Sequence, residues 1–133
     1  MIQFLLVFED WGILALRILL GAIMVRHGWP KISQLKATAA NFSGMGFRPA
    51  FFWATAVAIV EFVGGLALLG GFFTQVFAGL IFIQFLVIIL KLKRKENFGS
   101  WEFDGLIAAV ALSLLVLGAG RFSLDAFWNI FIY

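Results

Sequence analysis

Four long apolar runs, separated by short polar segments, dominate the hydrophobicity pattern of the chain. They cover about residues 11–28, 50–70, 72–90 and 101–118. A run of about 18 or more mostly apolar residues is long enough to cross the ~30 Å hydrocarbon core of a bilayer as a helix. The pattern therefore predicts an all-α integral membrane protein, a bundle of four transmembrane helices in one domain over residues 1–133.

The segment between the first two runs has a different pattern. Apolar residues recur at helical spacing from Pro30 to Gly44, and polar residues take the opposite face. This pattern predicts a short amphipathic helix that lies in the membrane interface between spans 1 and 2. The preceding Gly28-Trp29-Pro30 is expected to end the first span, because proline disrupts helix continuation.

Composition agrees with a membrane protein and excludes several function classes. Hydrophobic residues make up 63% of the chain and charged residues only 13%, against about 45–50% and 25% in soluble domains. The absence of cysteine excludes thiol redox chemistry and Cys-ligated metals in this chain. One histidine and scattered carboxylates give no metal-ligand spacing, so no metal site is expected. Nucleic-acid binding is excluded, because the basic residues flank the spans and do not form a patch on a solvated domain. The expected partner is the lipid bilayer.

Lysine and arginine are distributed unevenly around the predicted spans. Arg121 is the one basic residue in the termini and in the short turn between spans 2 and 3. The two longer connections each hold four basic residues: Arg26, Lys31, Lys36 and Arg48 in one, and Lys91, Lys93, Arg94 and Lys95 in the other. The positive-inside rule therefore predicts cytoplasmic positions for both connections and places both termini outside the cytoplasm.

Two ionisable residues fall inside the apolar runs. Arg17 lies in the first run and Glu61 in the second. With the predicted topology, Arg17 lies about 9 Å and Glu61 about 13 Å from the outer end of its own helix, and both outer ends are on the same side of the membrane. Because an intramembrane charge is costly when it is alone, we expect Arg17 and Glu61 to pair as an intramembrane polar site. Two interpretations stay open. The pair could have no role beyond locking two helices together, or Glu61 could act as a titratable carboxyl group in a polar pocket.

A second polar group is expected at the cytoplasmic mouth of the bundle. His27 and Lys31 end the first span, and Glu102 and Asp104 begin the fourth. Opposite charges at the same depth predict at least one contact between these pairs. His27 is the natural proton handler by its chemistry, although a lone histidine is more often an interfacial hydrogen-bonding residue.

Small residues recur on one face of three predicted spans. A shared face of this kind lets helix backbones approach closely. The residues concerned are Gly21 and Gly28 in the first span, Ala54, Ala58 and Gly65 in the second, and Gly105, Ala109 and Ser113 in the fourth.

Four segments in chain order resemble the signatures of the DoxX family. They are Arg17-Ile-Leu-Leu-Gly21 with His27-Gly-Trp-Pro-Lys31, Glu61-Phe-Val-Gly-Gly-Leu-Ala-Leu-Leu-Gly70, Trp101-Glu-Phe-Asp104, and Gly118-Ala-Gly-Arg-Phe-Ser-Leu-Asp125. The resemblance extends from about Leu14 to Phe127 and implies a four-helix protein of the bacterial inner membrane. It also implies that Arg121 and Asp125 fix the outer end of the fourth span.

The resemblance suggests a redox role, because DoxX-family members are linked to quinone-coupled oxidation of sulfur compounds and to oxidative-stress complexes. The leading hypothesis is a quinone-associated or redox-complex membrane subunit that works with a redox partner subunit. The chain shows no cofactor site of its own, so a quinone is expected only by resemblance, and whether the chain is an enzyme stays open. The alternatives are a small transporter or permeability factor for a solute or protons, and a non-catalytic scaffold. A homo-oligomer is a further open possibility.

Overall fold

A computed structural model describes residues 2–128, and every regular element within that range is a helix. The six α-helices are α1 (Glu9–Ser33), α2 (Leu35–Gly44), α3 (Ala50–Gly70), α4 (Thr74–Val87), α5 (Phe98–Leu117) and α6 (Leu124–Trp128). A 3₁₀ segment, Ile2–Phe8, precedes α1, and a π-helical turn, Ile88–Leu92, continues α4.

The helix α3 lies at the centre of the bundle. It packs against α1 along most of its length and also against α2 and α4, while α4 packs against α5. The core between these helices is formed by apolar side chains that are nearly inaccessible to solvent, among them Leu20, Met24, Leu68, Ile81 and Leu114.

The contact between α1 and α3 is close enough to exclude side chains at three glycines. A Cβ atom on Gly21 would lie 2.8 Å from the carbonyl oxygen of Gly65, and one on Gly65 would lie 2.7 Å from the backbone nitrogen of Val25. A Cβ on Gly28 would lie 2.5 Å from the backbone nitrogen of Phe62. The small-residue prediction is therefore confirmed for these two helices, whose backbones touch.

The same prediction is wrong for α5. Ala109 and Ser113 are exposed, whereas Ala108 and Ala111 are buried. Small residues occur on both sides of this helix, so spacing alone could not identify the packed face. That face is marked instead by the bulky Ile107 and Leu114, which are buried together with the two alanines.

The first helix is longer than the sequence predicted. It continues through Pro30 to Ser33 before the chain bends at Gln34, whose φ and ψ are −132° and 58°. A proline removes one intrahelical hydrogen bond but leaves its carbonyl as an acceptor, and the Pro30 carbonyl accepts from the Gln34 amide at 3.1 Å. The helix between spans 1 and 2 exists as α2, but it starts at Leu35, and its interfacial position stays a prediction.

Three helices in residues 2–128 are long and apolar enough to cross a membrane. They are Ala50–Gly70, Thr74–Leu92 and Phe98–Leu117. The expected first span, α1, is long enough but more polar, since it contains Arg17, Arg26 and His27. The count of four spans therefore stays a prediction.

Candidate functional site

Arg17 and Glu61 lie in two separate polar clusters. Both residues are buried, with exposed fractions of 2% and 1%, but no ion pair joins them among the described residues. Arg17 extends towards the carbonyl of Leu68, which lies about 10 Å along α3 from Glu61 at 1.5 Å per residue. The predicted Arg17–Glu61 pair is therefore wrong, because each side chain has nearer partners at its own end of the bundle.

The Arg17 cluster is built on backbone carbonyls. The Arg17 Nε donates to the Leu68 oxygen at 2.9 Å, and Nη1 donates to the oxygens of Ala119 at 2.7 Å and Phe122 at 3.0 Å. The last carbonyls of a helix have no intrahelical partner and carry the negative end of its dipole. One guanidinium thus binds the end of α3 and the segment that follows α5.

Asp125 completes this cluster from α6. Its carboxylate accepts from the backbone N–H groups of Phe73 at 2.6 Å and Thr74 at 2.9 Å, at the start of α4. The Asp125 N–H donates to the Gly71 oxygen at 2.9 Å. Asp125 also interacts electrostatically with Arg17. Asp125 therefore holds the turn between α3 and α4, rather than the end of α5 as the sequence suggested.

Gly71 is required where the chain turns beside Arg17. Its φ is 70°, in the left-handed region that favours glycine. A Cβ at this position would lie 2.4 Å from the Cβ of Ser123 and 2.8 Å from Cζ of Arg17. The turn therefore brings backbone directly against the guanidinium.

Arg121 lies at the same end but at the surface. Its side chain is 74% exposed and forms a 3.4 Å ion pair with Asp10 in the first turn of α1. The Arg121 N–H also donates to Asp10 at 2.9 Å. Exposed pairs of this kind contribute little to stability, so Arg121 marks a surface contact between the start of α1 and the segment after α5.

The Glu61 cluster is built from side chains of three helices. Lys31 Nζ, from α1, lies 2.7 and 2.8 Å from the two carboxylate oxygens of Glu61 on α3. Gln84 Nε2, from α4, donates to Oε1 of Glu61 at 2.6 Å. Glu61 is 1% exposed, whereas the Lys31 side chain is 31% exposed. Lys31 thus connects a buried carboxylate with the protein surface.

Gln84 has an unused acceptor beside this carboxylate. Its Oε1 is buried and has no hydrogen-bond partner in the described part of the chain. A buried polar atom without a partner costs about 1–3 kcal/mol, so this oxygen can accept a hydrogen bond from a bound group. Gln84 was not predicted as a site residue, although it is a strongly polar residue within the third apolar run.

The predicted cytoplasmic mouth does not form one cluster. Asp104 pairs with Lys93 at 2.5 Å, and Lys31 turns inward to Glu61. His27 is exposed, with its ring 6.2 Å from that of Phe103 between centroids.

The predicted contact of His27 or Lys31 with Glu102 or Asp104 is therefore wrong. Lys93 lies in the connection just before α5 and reaches Asp104 first. Without Lys31, Glu61 would be a buried charge without a cationic partner, and this favours the inward position of Lys31. Glu102 lies on the exposed side of α5.

The chemistry of the Glu61 cluster differs from that of a metal site. Within residues 2–128, no three histidine, aspartate or glutamate side chains converge to hold a metal ion. The cluster instead offers an ammonium group and an amide that both lie within hydrogen-bonding distance of one carboxylate. These groups are hydrogen-bond donors and acceptors of the kind that bind a small polar group.

The family model for DoxX matches residues 12–94. The chain belongs to the DoxX family. The matched region of this DoxX-family chain contains Arg17 and the whole Glu61 cluster, whereas Asp104 and Asp125 lie beyond it. No solved structure matches the chain.

Two curated relatives are similar over most of their length. The chain is 31% identical over 117 residues to the Bacillus subtilis (strain 168) protein named "Putative oxidoreductase CatD", covering 87% of this chain and 86% of the relative. It is also 31% identical over 127 residues to "Inner membrane protein YqjF" of Escherichia coli (strain K12), covering 91% of this chain and 95% of the relative.

Proposed function

We propose that this DoxX-family protein is a membrane subunit of a redox complex in the bacterial inner membrane, and that the Glu61 cluster binds the head group of a lipid-soluble quinone. The names of the two relatives, an oxidoreductase and an inner membrane protein, support this class of function. The observation that carries the proposal is the Glu61 cluster itself, where Gln84 Oε1 is buried without a partner.

In this proposal α1 also spans the membrane, which brings the number of membrane-spanning helices to four. Its two buried polar contacts, through Arg17 to the end of α3 and through Lys31 to Glu61, compensate for its lower hydrophobicity. The positive-inside rule then places the connections containing Arg26–Arg48 and Lys91–Lys95 in the cytoplasm and both termini outside. A periplasm-dependent reporter fused after Tyr133 should be active, and activity of a cytoplasm-dependent reporter there would contradict the orientation.

The residues present fit a quinone head group by their hydrogen-bonding chemistry. A quinone supplies two carbonyl oxygens that accept hydrogen bonds and, when it is reduced, hydroxyl groups that donate them. The Lys31 ammonium group and the Gln84 amide nitrogen are donors, whereas Glu61 and Gln84 Oε1 are acceptors. The cluster therefore offers both kinds of partner in one buried place.

Lys31 gives the buried carboxylate access to protons. Its ammonium group binds both oxygens of Glu61, while about a third of its side chain remains exposed. A flexible lysine stem can move its charged end between a buried partner and water. Lys31 can therefore connect the buried Glu61 carboxylate with the adjacent aqueous phase.

In this proposal the electrons are exchanged with another protein subunit. The chain has no cysteine that could hold an iron–sulfur cluster or undergo thiol oxidation. The proposed role therefore includes a redox partner subunit, while this chain provides the binding place and the proton contact in the membrane.

Quinone binding by matched variants tests this function. In Gln84→Met, the purified full-length protein should bind a ubiquinone or menaquinone analogue about 10- to 100-fold more weakly, because hydrogen bonds to the site are lost. Gln75→Met is the matched control, since Gln75 lies on the same helix and donates to the Leu115 carbonyl at 2.9 Å, away from Glu61. Equal quinone binding by wild type and Gln84→Met would contradict the proposal.

A proton or solute path is the second candidate, and the partial exposure of Lys31 favours it. In liposomes, this function predicts a proton or solute flux that is lost in Glu61→Gln. Flux without quinone binding would favour a transporter or permeability factor. Neither activity, together with a co-purifying protein, would favour a non-catalytic scaffold.

A further inference from the structure

A groove at the end of α4 has an apolar wall and a basic rim. Its volume is about 780 Å³. The wall consists of Ile83, Leu86, Val87 and Leu90, which are exposed to between 38% and 59%. The rim consists of Lys91, Arg94, Lys95 and Glu96, three cations and one anion. The groove is thus amphipathic along its length.

The apolar wall follows one side of the helix up to the rim. Its residues are spaced at three and four positions, which places them on one face. From Ile83 to Leu90 the wall extends about 10 Å along the helix axis. The candidate span Thr74–Leu92 ends where the rim begins, so the wall lies at the depth of acyl chains and the rim at the depth of head groups.

Two of the cations in the rim have no ion-pair or side-chain hydrogen-bond partner among residues 2–128. Lys93, which is outside the groove, binds Asp104 and the Ser100 carbonyl, and Lys91 lies 4.3 Å from the centre of the Phe47 ring. In contrast, neither Arg94 nor Lys95 forms an ion pair or a side-chain hydrogen bond among residues 2–128. Both are exposed and available to an anion.

The helix geometry changes where wall and rim meet. Residues Ile88–Leu92 form a π-helical turn, and the Lys93 N–H donates to the Ile88 carbonyl five residues earlier at 3.2 Å. A π turn is wider than an α turn, is rare, and occurs frequently at functional sites. The turn therefore gives the groove a feature that distinguishes it from an ordinary lipid-facing helix surface.

We propose that this groove is a binding site for an anionic phospholipid, whose phosphate is bound by Arg94 and Lys95 and whose acyl chain lies along Ile83, Leu86, Val87 and Leu90. The charge of the rim selects an anion, and the apolar wall selects a phospholipid over a small water-soluble phosphate. Binding at this site holds the cytoplasmic end of α4 against a specific lipid and is independent of the quinone proposal.

The first test measures binding of phosphatidylglycerol to the delipidated full-length protein by native mass spectrometry. The double variant Arg94→Gln/Lys95→Gln should bind about 30-fold more weakly, since each basic residue near an anionic head group contributes about a fivefold factor. The control Arg26→Gln/Lys36→Gln removes the same charge from exposed positions outside the groove and should bind normally. Equal losses in both variants would overturn the site and indicate attraction by overall charge.

The second test addresses the wall with variants whose changed side chains point outward. Leu86→Trp fills the groove and should weaken phosphatidylglycerol binding, whereas Leu80→Trp, also exposed on α4 but outside the groove, should not. Wild type should bind phosphatidylcholine more weakly than phosphatidylglycerol. Equal binding of the two lipids, or inorganic phosphate binding that is unaffected by Leu86→Trp and displaces the lipid at equal concentration, would overturn the proposal.

Discussion

The two buried clusters hold their charges in different ways. Arg17 is bound by backbone carbonyls at the end of α3 and in the segment that follows α5, which move only if the backbone moves. Glu61 is bound by Lys31 and Gln84, whose side chains can change rotamer. A charge held by backbone is suited to fixing a structure, whereas a charge held by side chains can respond to a ligand or a proton. The Arg17 cluster is therefore suited to a structural role, whereas the Glu61 cluster is the better candidate for the proposed ligand site.

The largest effect is expected from replacing Arg17. Arg17→Met should lower the free energy of unfolding by about 3–5 kcal/mol, because it removes the positive charge that interacts with buried Asp125 and leaves the Ala119 and Phe122 carbonyls without this donor. Arg17→Lys should recover little, since one ammonium group lacks the planar fork that binds separate carbonyls. Denaturant unfolding in detergent measures both, with exposed Arg26→Met as control. Wild-type stability of Arg17→Lys would contradict the structural role.

Removing Lys31 should have the next largest effect. Lys31→Met leaves the Glu61 carboxylate buried without a cation and should cost about 2–3 kcal/mol, less than for a fully buried pair because Lys31 is partly exposed. Glu61→Gln alone should cost about 1 kcal/mol, because Lys31 can then extend into water.

The double variant Lys31→Met/Glu61→Gln distinguishes pairing from independent effects. It should be more stable than Lys31→Met, since no charge is then buried without a partner. Lys36→Met serves as the control for loss of an exposed lysine. Strictly additive losses in the double variant would show that Lys31 and Glu61 do not interact.

The helix contact beside the Glu61 cluster should be sensitive to a single methyl group. Gly28→Ala should destabilise the bundle by about 1–3 kcal/mol, because its Cβ would overlap the backbone of Phe62 and Glu61. Gly12→Ala, which has no neighbouring atom within 4 Å, should be neutral or slightly stabilising. Thermal unfolding of both variants measures the difference, and similar melting temperatures would contradict the backbone contact.

The smallest effect is expected at Arg121. Arg121→Gln should change the free energy of unfolding by no more than about 0.5 kcal/mol, because its pair with Asp10 is exposed. The same unfolding assay applies. A loss as large as that of Arg17→Met would show that the surface pair, rather than the carbonyl cluster, holds this end of the bundle.

The sequence predicted which residues matter better than it predicted their partners. The two charges within apolar runs are buried, and the glycines of α1 and α3 bring those helices into backbone contact. Spacing along a helix gives a depth but not the direction in which a long side chain extends. Arg17 therefore had no visible partner in the sequence, because any residue can supply a backbone carbonyl.

Some of the remaining differences between the expected and the observed structure could have been predicted from the sequence, and others could not. Gln84 stood out as a polar residue in an apolar run and could have been assigned to the Glu61 cluster. Pro30 indicated a helix end, but a helix can tolerate the loss of one hydrogen bond when tertiary contacts hold it, and Lys31 supplies such a contact. The pairing of Lys93 with Asp104 depends on how the connection before α5 folds back, which no pattern of residues encodes.

The hydrogen bonds of Arg17 can form only in the order in which their acceptors are synthesised. The chain emerges from its N-terminus, and Lys31 meets its partner Glu61 after only 30 further residues. The acceptors of Arg17 follow 51, 102 and 105 residues later, at Leu68, Ala119 and Phe122. The full set of Arg17 acceptors therefore exists only after α5 and the segment that follows it have been made. Under the proposed topology, α1 can form all of its contacts within the bundle only once these later segments have been made.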